Sequence, residues 1–195
     1  MARAASLYRR FLASTRAVAA IEFAAITPVF LLLFLGSIDA ARAISIYMKV
    51  RAATYVLGAI TNQYSTIHDT DMQSILGATT VVLSPYPSGP VSVVLSQVSI
   101  SAAGQTTATV CNSTCWSDTL NGTALATGAT VTLPAGLASA TAPTTCQSYP
   151  CYLLYGQVQY TYTPMFGYFV TGTIALSDSL FVTPRNVTAI TRTSP

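Results

Sequence analysis

Residues equipped for chemistry are scarce in this chain. It has one histidine, six acidic and nine basic residues, so only 8% of its 195 positions are charged. No G-x-x-x-x-G-K and no G-x-G-x-x-G occurs to cradle phosphates. Serines abound, but none sits in a G-x-S-x-G setting, and His68 beside Asp69 reads as a solvated turn residue ahead of a helix start rather than a catalytic base. Asp69 and Asp71 are too few for a calcium loop, which needs oxygen ligands at several fixed positions. Beyond residue 40 the acids are Asp69, Asp71, Asp118 and Asp178, a poor stock for paired-carboxylate hydrolysis. The composition therefore predicts no enzyme, no cofactor and no small-molecule substrate.

Basic residues are also missing where a nucleic-acid surface would need them. Arg3, Arg9, Arg10 and Arg16 crowd into the first 17 residues, whereas residues 40–195 carry Arg42, Lys49, Arg51, Arg185 and Arg192 against the four aspartates. The net charge of +3 thus belongs mostly to the tail, and it argues membrane orientation rather than nucleic-acid binding.

What the chain does have is a long apolar run, Val18–Ile38, with one carboxylate, Glu22, near its start. A run of about 18 or more apolar residues is long enough to cross a bilayer as a helix. A carboxylate inside such a run costs roughly 2.5–3.5 kcal/mol on insertion scales, so Glu22 is expected to have a partner or a task. By the positive-inside rule, residues 1–17 form a cytoplasmic tail and the rest of the chain is exported. Small residues at Ala41 and Ala43 would suit a signal-peptide cut before Ile44. Against that cut, the apolar core is long, Glu22 and Pro28 interrupt it, and helical spacing continues beyond it. Ala41, Ile44, Met48, Ala52, Tyr55 and Ala59 recur every three or four residues, which predicts an amphipathic continuation over 39–64. The run is read as a retained single-pass anchor. Pro28 removes the N–H partner of the Ala24 carbonyl and is expected to kink or locally melt the helix.

Residues 65–195 are rich in Ser, Thr, Val and Tyr and punctuated by Pro and Gly. Thr70-x-x-Gln73 reads as a capping box opening a short helix that Gly77 closes. Strands are expected over 79–83, 91–100, 106–116, 152–162 and 173–182. On 152–162 and 173–182 the even positions are apolar, the period of an antiparallel sheet with one face on a core. Asp178 falls on an apolar face, where it marks a bulge, finds a hydrogen-bond partner or meets Arg185. The stretch 121–145 reads as a surface excursion. Cys111, Cys115, Cys146 and Cys151 form two close pairs, an even count that reads as two disulfides in an exported domain, with local pairing favoured over links between the two turns and zinc the weaker alternative. The fold class is α+β: a long N-terminal helix packed on an antiparallel sheet of about four strands.

The segment from Ala17 through Glu22-Phe23 and Pro28 to Asp39-Ala-Ala-Arg42 resembles the N-terminal signature of TadE/TadG-like proteins, the minor pilins or pseudopilins of tight-adherence pili. In that pattern a small residue, usually Gly, is followed by four residues and then Glu-Phe, Pro follows six after the Glu, and an acid lies near the exit of the span. Ala17 stands where Gly is expected. The stretches beginning at Met48 and at Gly156 are also similar to family members. The resemblance implies a pilin-like fold, an inner-membrane location, and a role in assembling a type IV-like pilus with other pilins and assembly proteins. It also implies cleavage by prepilin peptidase between Ala17 and Val18. Glu22 would then be the fifth residue and could pair with its own or a neighbour's new amino terminus, fixing helix register together with Phe23, Pro28 and Asp39. The competing reading is a membrane-anchored or secreted binding domain that uses Tyr149, Tyr152, Tyr155, Tyr160, Tyr162 and Tyr168.

Overall fold

The computed structural model describes residues 15–135, 137, 146, 148–167 and 172–193. Most of the basic tail, Tyr168 and most of 136–145 lie outside the described residues. Helix α1 (Thr15–Thr61) is followed by strand β1 (Thr66–His68) and helix α2 (Asp69–Val82). Strands β2 (Val91–Ile100), β3 (Thr107–Thr109), β4 (Ser117–Leu120), β5 (Thr130–Thr132), β6 (Cys151–Tyr162), β7 (Ile174–Val182) and β8 (Thr191–Thr193) complete the chain. The class is α+β, but the sheet is larger than four strands. Its order is β5-β3-β2-β6-β7, with β4 also paired to β2, while β1 and β8 form a separate parallel pair. The chain divides into two compact units, one of residues up to 42 with 163–172, the other of 43–162 with 173–195.

In the larger unit the long strands follow from alternation. β2 and β6 pair without interruption from Val91↔Tyr160 to Ile100↔Cys151, and β6 and β7 from Leu154↔Val182 to Tyr162↔Ile174. One face of this sheet packs on Ile46, Val50, Ala53 and Leu57 of α1 and on Met72, Ile75 and Leu76 of α2. A second cluster, Val98, Ile100, Ala108, Val110, Leu133 and Leu153, gathers with Cys146 and Cys151. The approach of α1 to the sheet is close. A Cβ on Gly58 would lie 2.7 Å from Leu180 Cδ1, and one on Gly156 would lie 3.1 Å from Leu57 Cδ2.

Several expectations need correction. The buried stripe of α1 is Ile46, Val50, Ala53 and Leu57, whereas Ile44, Met48 and Tyr55 are 57%, 65% and 75% exposed. Both stripes have helical spacing, and the sheet takes the one whose Ala53 and Gly58 permit close contact. Residues 79–82 continue α2 instead of forming a strand, and Gly77 lies inside that helix. Thr79 and Thr80 turn their hydroxyls onto the Leu76 and Gly77 carbonyls (2.6 and 2.7 Å), a bond that lets threonine sit in a helix. The cap is His68, whose N–H donates to Asp71 Oδ2 (3.2 Å), so the carboxylate three residues after the cap does what Gln73 was expected to do.

Only Thr107–Thr109 of the expected strand over 106–116 is extended. Cys111 and Cys115 are disulfide-bonded with Cα atoms 5.0 Å apart, whereas four extended residues would span about 13 Å. The region after 121 is not mere surface either: β5 pairs with β3, and Leu133 is buried. Asp178 marks no bulge, since the β6–β7 register is unbroken and places it opposite Val158.

Candidate functional site

Helix α1 is long and apolar enough to cross a membrane, and its most apolar stretch is wholly unburied. Phe23, Phe30 and Phe34 are 73%, 67% and 64% exposed, which in water would be a heavy apolar burden. The two hydroxyls inside the stretch satisfy themselves. Thr27 Oγ1 donates to the Phe23 carbonyl (2.6 Å) and Ser37 Oγ to the Phe34 carbonyl (2.7 Å), as a hydrocarbon environment requires. Pro28 lies within the helix without melting it, since helical residues run from Thr15 to Thr61. Ala17 and Val18 lie in the first turns of the same helix, and Glu22 is exposed on its surface.

Asp39 is where the structure brings distant residues together. Its Oδ1 accepts the backbone N–H of Met165 (3.0 Å), and its Oδ2 accepts that of Phe166 (3.2 Å). One turn later Arg42 Nη1 lies 3.4 Å from Met165 Sδ. A carboxylate receiving two backbone donors is a strong fastening for the chain that leaves β6. Met165 and Phe166 were not singled out from the sequence. The signal was available: no charged residue occurs between Asp118 and Asp178, and the stretch from Tyr162 to Val170 is rich in aromatic and apolar side chains.

In the larger unit the polar residues serve the fold. Arg192 Nη2 meets Asp69 (2.6 Å) and Asp118 (2.8 Å), tying β8 to α2 and β4. Gln97 is fully buried; its Nε2 donates to the Thr114 carbonyl (2.9 Å) and its Oε1 accepts the Ile190 N–H (2.7 Å). Trp116 Nε1 donates to the Ile190 carbonyl (3.0 Å). His68 Nδ1 is hydrogen-bonded to Thr193 Oγ1 (2.8 Å), a structural link between the paired strands β1 and β8. Asp178 lines a cleft of about 340 Å³ with Met48, Arg51, Tyr55 and Leu180 rather than meeting Arg185.

Cys111 is bonded to Cys115 and Cys146 to Cys151, so both pairs are local and no thiolate is left for zinc. Two of the tyrosines considered as a ligand surface are core residues instead, Tyr160 at 4% and Tyr162 at 7% exposure. Burial pushes the Tyr160 hydroxyl above its ordinary value, with a smaller push from Tyr86. Burial likewise raises that of Tyr155, partly offset by its hydrogen bond with Ser179.

Residues 17–56 match the family model described as TadE-like protein. The N-terminal helix is TadE-like. The match opens at Ala17, takes in Glu22, Phe23, Pro28 and Asp39, and ends at Val56 within α1. No curated protein and no solved structure matches the chain. A TadE-like segment points to a protein associated with tight-adherence pili and with the membrane, in a family that is structural rather than catalytic.

Proposed function

We propose that this chain is a minor pilin or pseudopilin that acts in assembling a tight-adherence, type IV-like pilus and is not an enzyme. Its helix crosses the inner membrane once over residues 18–38, with residues 1–17 cytoplasmic and the β-rich domain over 65–195 on the exported side. The observation that carries the reading is that the TadE-like segment coincides with a helix whose large apolar side chains lie open from Val18 to Phe34 and again, off its sheet-facing stripe, at Ile44, Met48 and Tyr55. Lipid would cover the first part of that surface. The second part, at Ile44, Met48 and Tyr55, would be covered by helices of other pilins or assembly proteins.

Cleavage by prepilin peptidase after Ala17 would make Val18 the amino terminus. A new ammonium four residues from Glu22 lies on the same helical face, and each charge would offset the desolvation of the other in a low-dielectric layer. Glu22 of one subunit paired with the terminus of the next would fix the axial register of assembly. A binding domain that works through tyrosines has lost support, because Tyr160 and Tyr162 are buried.

Deletion of the gene, with complementation by the wild type and by Glu22→Ala, tests the proposal. Surface filaments and adherence are expected to disappear on deletion, to return with the wild type, and to fall at least tenfold short with Glu22→Ala. Unchanged filaments and adherence in the deletion strain would end the assembly reading.

A further inference from the structure

We propose that the chain just after β6 makes a second contact with the bilayer, with Met165 and Phe166 resting in the outer interface beside the exit of the helix. The proposal rests on the reading that α1 spans the membrane, and it adds a lipid-binding surface contributed by the other end of the sequence.

Depth is set by the helix. The apolar run Val18–Ile38 rises roughly 31 Å at 1.5 Å per residue, which matches a hydrocarbon core of about 30 Å. Asp39 is the next residue, so its carboxylate stands at the boundary between acyl chains and headgroups. The two bonds from Asp39 to the Met165 and Phe166 N–H groups hold this segment at that same level. Residues 163–172 accordingly form one compact unit with the chain up to Arg42.

The chemistry of the segment fits that depth. Met165 is 61% exposed, and Phe166 is only partly buried. Apolar side chains held open at the level of the headgroup boundary gain by entering it, and thioether and aromatic groups suit its mixed polarity. Arg42, exposed and one turn beyond Asp39, lies against the Met165 sulfur and carries its charge at the height of lipid phosphates. Long basic side chains at such a site lay an apolar stem along neighbouring apolar groups and present the charge to the headgroups. With both backbone donors satisfied by Asp39, those N–H groups carry no desolvation penalty into the interface.

The test is fluorescence of full-length Met165→Trp reconstituted in vesicles of phosphatidylethanolamine and phosphatidylglycerol, with and without lipids brominated near the headgroup. Trp116 of the unsubstituted chain gives the background emission. Brominated lipid is expected to quench the added emission at least twofold, and Asp39→Ala in the same background to cut that quenching by half or more. Phe166→Trp provides the same reading if Met165→Trp does not fold. Emission that brominated lipid leaves unchanged while the chain resists carbonate extraction would overturn this second contact and leave the helix in place. Such emission, if also shielded from aqueous iodide, would put protein rather than lipid over the segment. A chain that carbonate extracts would overturn both readings.

Discussion

Gln97 shows how much a single polar side chain can hold in this molecule. It is buried on β2, and its two amide ends reach the disulfide turn at Thr114 and the segment before β8 at Ile190. Replacing it with leucine removes both bonds and leaves the buried Ile190 N–H and the half-buried Thr114 carbonyl without these partners, at about 1–3 kcal/mol for a buried group. Gln97→Leu is therefore expected to destabilise the full chain by about 3 kcal/mol, measured by denaturant unfolding in detergent. A loss within 0.5 kcal/mol would mean that neither bond matters. Nothing in the sequence marks Gln97, because a glutamine on a strand is ordinarily a solvent-facing residue and its partners lie 17 and 93 positions away. Asp39 is a contrasting case: its type and place at the end of the apolar run stand out in the sequence, but its partners, more than 120 residues distant, do not.

At the scale of elements, the contact of α1 with the sheet depends on Gly58. An alanine there brings its Cβ within 2.7 Å of a Leu180 methyl at the end of a flexible side chain, while gaining up to about 1 kcal/mol of helix propensity. Gly58→Ala is expected to be nearly neutral. Gly58→Leu has no such compensation and is expected to cost about 2 kcal/mol by pushing the helix off Leu180 and Val182. Thermal unfolding of the two variants checks the pair, and equal stability of Gly58→Leu and wild type would contradict the packing described. The strands β2, β6 and β7 were legible because alternation is a local signal, tied to one buried face. The buried face of α1 was not, because two apolar stripes share helical spacing and only the sheet decides between them. The length of α2 was misjudged since β-branched residues 79–82 favour strands intrinsically, and tertiary packing of Met72, Ile75, Leu76 and Thr79 overrides that preference. The short strands β3, β4 and β5 owe their bounds to a disulfide turn and to pairing between distant segments, neither of which has a periodic trace.

For the whole molecule, the chain combines a TadE-like helix whose most apolar stretch is unburied with a sheet domain that lies mostly outside the family match. On the proposed role, the helix carries what a filament machine would handle: an apolar stretch long enough to cross a membrane, a carboxylate near its start and an exposed stripe beyond it. The sheet domain is stapled by two local disulfides and tied by Arg192 and Gln97. An assembly role requires that the helix stay with the mature protein. The intact mass and amino-terminal residue of the native protein from envelope fractions decide this most directly. A membrane-bound chain beginning at Val18 is expected. A soluble chain beginning at Ile44 would contradict the assembly role, since the anchor, Glu22 and Asp39 would all have been removed.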